Sequence, residues 1–113
     1  MAALAQAGIH AGTITASLTT VGAVVASGKM QRVDFIRVTN TTSTARTVSV
    51  ALHDGTNTRY LCVDYPVAAK GDLASVVNIS SSPIWLPAGW TIRAISSAAT
   101  SLDLIAPYLE TSV

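Results

Sequence analysis

Short β-type segments, separated by turn signals about every ten residues, constrain the fold of this chain most. From residue 13 onward, runs rich in Val, Ile and Thr are interrupted by clusters of Gly, Pro, Asn and Ser. Residues 47–53 alternate most clearly, with Val48, Val50 and Leu52 on one face. We therefore predict an all-β chain that forms an antiparallel β-sandwich or jelly roll of about eight strands, with a small barrel as the alternative.

The 113 residues are enough for one domain. Residues 1–12 are mostly Ala and Gly, and they predict an irregular N-terminal arm, a frayed helical turn or an arm lying on another subunit. The rest of the chain, residues 13–113, is predicted to be a single β-sandwich domain. Its other strands are expected at residues 13–19, 21–26, 31–39, 59–65, 73–79, 84–86, 90–95 and 102–109, the last interrupted by Pro107.

Composition limits the classes of partner. Half of the residues are hydrophobic, which excludes intrinsic disorder, and only 12% are charged. The formal net charge of +1, without any run of like charges, does not suit nucleic-acid binding. The longest apolar stretches fall short of the roughly 20 residues of a membrane span. Residues 1–8 contain no basic residue, so we expect no secretory signal.

The side chains that carry out catalysis are few and scattered. His10 and His53 lie far apart in sequence, and no cluster has the spacing of metal ligands. We interpret both histidines as surface residues and Cys62, the single cysteine, as a small buried or half-buried hydrophobic residue in a strand. The sequence therefore predicts a protein that is not an enzyme and that holds no cofactor and no metal.

Two tryptophans, Trp85 and Trp90, bracket a Pro-Ala-Gly turn. They could form a stacking platform for a glycan, or one could cap the core while the other contacts a subunit; we favour the second interpretation. A surface with so few charges also favours a protein partner. The predicted contact residues are Trp85 and Trp90, together with Ile9 and His10 of the N-terminal arm.

Three stretches of the chain resemble small β-sandwich structural proteins of tailed bacteriophages. Residues 33–42, VDFIRVTNTT, are followed after a polar gap by TVSVALHDG at residues 47–55, as in a strand, a Ser/Thr loop and a second alternating strand of those proteins. Residues 85–94, WLPAGWTIRA, are similar to their turn of leucine, a small residue and Ala-Gly before another strand. The resemblance covers residues 30–110, and Trp90 stands where such turns more often carry a polar residue.

This resemblance implies a non-enzymatic virion component assembled in the host cytoplasm. A capsid decoration or cement subunit is favoured, and a neck, tail or fibre-attachment subunit is the alternative. Its partners would be further copies of itself and other virion proteins such as the major capsid protein, with no nucleic acid and no membrane. A carbohydrate-binding module that uses Trp85 and Trp90 is the alternative from a different class of protein.

Overall fold

A computed structural model describes residues 5–113 of the chain as an antiparallel all-β structure, which confirms the predicted fold class. It contains ten strands and one turn of 3-10 helix at Leu73–Ser75. The strands are β1 (Gln6–Ile14), β2 (Thr19–Val21), β3 (Lys29–Val33), β4 (Ile36–Asn40), β5 (Arg46–His53), β6 (Thr58–Val67), β7 (Val76–Ser80), β8 (Ile84–Pro87), β9 (Thr91–Ser96) and β10 (Leu102–Ser112).

The larger sheet has six strands in four neighbouring lines, because two of the lines each contain two strands placed end to end. Strand β10 pairs with β1 along one side, and with β3 and then β4 along the other. Strands β8 and β7 extend this arrangement beyond β3 and β4. Because β3 and β4 share one line and β7 and β8 share another, the sheet is four lines wide, with β1 and the β7/β8 line at its edges.

The smaller sheet has the order β2-β9-β5-β6, so β2 and β6 form its edges. Both sheets contribute to one apolar core, and in strands such as β4 alternate side chains point inward. Its largest fully buried side chains include Ile14, Ile36, Leu86, Ile92, Leu102 and Leu104. Two sheets of four lines each correspond to the predicted sandwich of about eight strands.

The turn between β5 and β6 forms as the sequence predicts. Gly55 has a φ of 99°, a left-handed conformation that glycine adopts without strain. The carboxylate of Asp54 accepts hydrogen bonds from the backbone N–H groups of Thr56 and Asn57, at 2.8 and 2.6 Å. These two bonds lower the pKa of Asp54, because they stabilise the charged form.

The prediction of an irregular arm over residues 1–12 is wrong for the part that the structure describes, whereas residues 1–4 lie outside it. Strand β1 pairs with β10 over nine consecutive residues, and the predicted domain boundary after residue 12 falls inside this strand. Small residues such as Gly8 are needed here because a Cβ at that position would overlap the ring of Tyr108. Glycine at position 8 therefore leaves room for the Tyr108 ring of β10.

Several strand boundaries also differ from the prediction. The expected strand at 31–39 is broken at Asp34 and Phe35, and the segments expected at 13–19 and 21–26 shrink to the end of β1 and the short β2. Pro107, in contrast, does not interrupt β10. It lies beside the break between β3 and β4, where its missing N–H removes no ladder bond and its carbonyl accepts the N–H of Asp34 at 2.9 Å.

Candidate interaction surfaces

His10 is an interior residue, so its interpretation as a surface histidine is wrong. The side chain is 3% exposed because even-numbered residues of β1 face the core. Its Nδ1 accepts a hydrogen bond from the N–H of Ala23 at 3.4 Å, which leaves Nε2–H to donate to the side-chain oxygen of Gln31 at 2.6 Å. Gln31 in turn donates to the carboxylate of Glu110 at 3.0 Å.

This chain of hydrogen bonds connects β1, β3 and β10 with the loop that contains Ala23. The imidazole of His10 also lies 4.6 Å from the ring of Tyr108, centroid to centroid. A buried polar group contributes to stability only when its donors and acceptors are paired, as they are here. The hydrogen bonds of His10 therefore stabilise the position of β1. Because its side chain is buried, we no longer include His10 among the predicted contact residues.

The other candidate reactive groups are also used within the fold. His53 shares a hydrogen bond of 3.0 Å with Thr58 across the β5–β6 turn. Cys62 is half-buried and packs against the core, as predicted, and burial raises the pKa of its thiol. Among residues 5–113, His, Cys, Asp and Glu do not gather in any group of three that could hold a metal ion.

The structure separates the two tryptophans. Trp85 is 57% exposed on the outer side of β8, whereas Trp90 is partly buried and packs against the core. In β8, Trp85 points outward and its neighbour Leu86 points into the core. Trp90 follows the turn after β8, where its carbonyl accepts a hydrogen bond from the N–H of Val25. The two indoles therefore do not form one exposed stacking platform.

Ile9 lies on the same outer face as Trp85, at the opposite edge of the larger sheet. Three successive outward pairs of β1 and β10 are entirely apolar, and we call these six residues the outer-sheet patch. They are Ala7 with Leu109, Ile9 with Pro107, and Ala11 with Ile105. The intervening pairs, such as His10 with Ala106, face the core.

Charged side chains of this face lie between the outer-sheet patch and Trp85. Arg32 is paired in register with both Leu109 and Trp85, and it forms an ion pair with Asp34 at 2.9 Å. Arg37 covers the ring of Phe35 at 4.8 Å from its centroid. Arg32 is thus paired with an opposite charge, and the outer-sheet patch itself contains no charged residue.

A second apolar surface, which the sequence did not predict, lies on β6. Four of its large hydrophobic side chains are exposed, and we call them the β6-edge patch: Tyr60, Leu61, Val63 and Tyr65. The simple alternation expected for residues 59–65 fails because the register between β5 and β6 shifts twice, on either side of Val50. The neighbouring residues Tyr60 and Leu61 are therefore both exposed, which strict two-residue alternation does not allow.

Comparisons with known proteins establish likeness of fold. No protein-family model and no curated protein sequence matches the chain. A chain of the acidic stable capsid of Helicobacter pylori bacteriophage KHP30 is 14% identical, with a TM-score of 0.56 over 98% of this chain and 90% of that one. A chain of Bacillus endospore appendages, which form disulfide-linked pili, is 10% identical, with a TM-score of 0.55 over 99% and 89%.

A third structure, the VP2 subviral particle of infectious bursal disease virus, is 11% identical, with a TM-score of 0.50 over 98% of this chain and 33% of the VP2 chain. The two-sheet fold is therefore one that occurs in phage and viral capsids and in a bacterial appendage. Over residues 5–113, we find no helix long and apolar enough to cross a membrane.

Proposed function

We propose that this chain is a non-enzymatic structural protein of a bacteriophage virion, assembled in the host cytoplasm. Within that class we favour a capsid decoration subunit, which associates with itself and docks on the major capsid protein or another virion protein. A neck, tail or fibre-attachment subunit is the alternative within the virion. The observation that carries this proposal is the uncharged outer-sheet patch on a fold that resembles a phage capsid chain.

The size of the outer face supports docking through this surface. Four strand lines spaced about 4.8 Å apart, and about 3.3 Å per residue along the eleven residues of β10, give roughly 700 Å². One side of a standard protein interface buries about 800 Å². The face also combines an apolar patch on β1 and β10 with an exposed aromatic residue, Trp85, on β8, and aromatic residues are enriched at protein interfaces.

The structural neighbours support an assembly role in the same way. The capsid chain and the appendage chain have similar TM-scores and come from different kinds of assembly. What these two assemblies share is that β-sandwich subunits build a larger particle or fibre. The virion is favoured over a fibre on the cell surface because the sequence itself resembles phage structural proteins.

A carbohydrate-binding module is less well supported. That function was proposed for a platform of two tryptophans, but Trp90 packs against the core and Trp85 alone remains exposed. A single indole with charged neighbours offers one stacking face instead of two.

Sedimentation of virions tests the proposal. Particles from a lysate of the phage that encodes this chain are banded in a density gradient, and the chain is detected by immunoblotting. We expect it in the particle band at many copies per particle. The Trp85→Ala/Ile9→Ser variant is expected to leave that band, whereas Leu73→Ser, at a 99% exposed leucine outside the outer face, is expected to stay. Wild-type protein found only in the unsedimented fraction contradicts the proposal.

A further inference from the structure

Strand β6 is an edge strand with an unusual surface. It is ten residues long, and within residues 5–113 it pairs only with β5, so its other side carries backbone groups that no strand of this part of the chain pairs. Four of its side chains form the β6-edge patch, of which Val63 is the most exposed at 64%. Tyrosine is enriched at protein interfaces, and two of the three tyrosines in the chain lie in this patch.

The two bulges determine how such an edge can bind a partner. They interrupt the regular order of N–H and C=O groups, and at one of them the neighbouring side chains Tyr60 and Leu61 are both exposed. At Asp64 the backbone has a φ of 50°, and its N–H is directed to the hydroxyl of Ser49 instead of to a neighbouring strand. Side chains, more than a continuous backbone ladder, are therefore available for contact.

The charges on β6 select one arrangement of two copies. Arg59 precedes the β6-edge patch and Asp64 lies near its other end; both are exposed. Across residues 5–113 the one ion pair is Arg32–Asp34, so neither charge on β6 is neutralised by a salt bridge there. An antiparallel apposition of two β6 strands brings each cation opposite an anion, whereas a parallel apposition brings like charges together.

We propose that the β6-edge patch binds the β6-edge patch of a second copy of this chain, about a two-fold axis that passes between Leu61 and Cys62. Arg59 of each copy then faces Asp64 of the other, and Tyr60 faces Val63. Such an isologous contact uses one surface twice and closes on itself. It leaves the outer-sheet patch free for a different partner. The inference rests on the self-association proposed above but not on docking to a particle.

Charge reversal tests this arrangement by analytical ultracentrifugation. Arg59→Asp and Asp64→Arg each place like charges opposite one another, so each variant alone is expected to dimerise at least tenfold more weakly than wild type. An equimolar mixture of the two restores both opposite-charge contacts and is expected to form a heterodimer within about threefold of the wild-type dissociation constant. Lys70→Asp, which reverses an exposed charge outside β6, is the control and is expected to dimerise as wild type does.

A second variant covers the left-handed backbone of residue 64, where arginine could disturb folding. Asp64→Asn keeps a residue type suited to that conformation, and its mixture with Arg59→Asp is expected to associate more tightly than either variant alone. Wild-type association that neither reversal changes, or a mixture no tighter than its components, overturns the β6 assignment and leaves self-association intact. A wild-type chain that stays monomeric overturns both.

Discussion

Gly22 illustrates how closely single residues are fitted around the buried polar chain. Its φ is 84°, and a Cβ at this position would overlap the imidazole of His10. We predict that Gly22→Ala lowers the free energy of unfolding by about 2–5 kcal/mol, since about 1–2 kcal/mol of left-handed strain adds to about 1–3 kcal/mol of overpacking. Chemical denaturation followed by tryptophan fluorescence measures this change.

Gly28 is a matched control for that substitution. It has a similar φ of 77°, but open space surrounds the position of its Cβ. Gly28→Ala should therefore carry only the backbone strain, about 1–2 kcal/mol. Equal losses for the two variants would mean that the contact between Gly22 and His10 contributes nothing.

The thiol of Cys62 gives a second test at the residue scale. Because burial raises its pKa, a smaller fraction is thiolate at neutral pH than for a free cysteine. We predict that iodoacetamide alkylates Cys62 in the native protein more slowly than in the urea-unfolded chain, and that the native rate keeps rising as the pH is raised past the ordinary pKa of 9.0. Mass spectrometry follows the reaction, and equal rates in both states contradict the assigned environment.

The surroundings of a single residue could be predicted only where its hydrogen-bond partners lie close to it in the sequence. The turn at Asp54 and Gly55 was predictable because its hydrogen bonds connect residues two and three positions apart. The surroundings of His10 were not predictable, because its partner Gln31 comes from another strand and the next link, Glu110, lies near the end of the chain.

At the scale of elements, β10 shows the alternation that supports the whole account. Leu104 is fully buried, whereas its neighbour Ile105 belongs to the outer-sheet patch. We predict that Leu104→Ala lowers the free energy of unfolding by about 2–5 kcal/mol, the cost of a core cavity, and that Ile105→Ala lowers it by about 1 kcal/mol or less. Thermal unfolding compares the two variants, and a larger loss for Ile105→Ala would show that the faces of β10 are reversed.

The strands differ in how well their sequences predict them. The alternation in residues 47–53 correctly predicts a strand, and Val48 and Val50 of β5 are buried in the core. The burial itself does not alternate, because Ser49 and Ala51 on the other face are buried as well. Strand β1 escaped prediction because Ala and Gly carry little strand signal, and pairing with β10 is what orders it. The exposed face of β6 escaped prediction because bulges break the two-residue period on which the prediction rests.

At the scale of the whole molecule, composition and turn spacing were sufficient for the fold class but not for the sheet order. The pairing of β1 with β10 joins the two ends of the chain, and no local pattern encodes such a contact. Of the predicted contact residues, Ile9 and Trp85 lie on one exposed face, whereas His10 and Trp90 pack inward. Alternation of apolar and polar residues distinguishes inward from outward side chains only in segments that the sequence already identifies as strands.

The molar mass of the purified chain in solution tests self-association. Size-exclusion chromatography with light scattering is run on the purified wild-type chain from micromolar to millimolar concentration. We expect a mass that rises with concentration to at least two protomers of 11.6 kDa, because two apolar surfaces of this small domain lack partners within residues 5–113. A mass of 11.6 kDa at every concentration would contradict it.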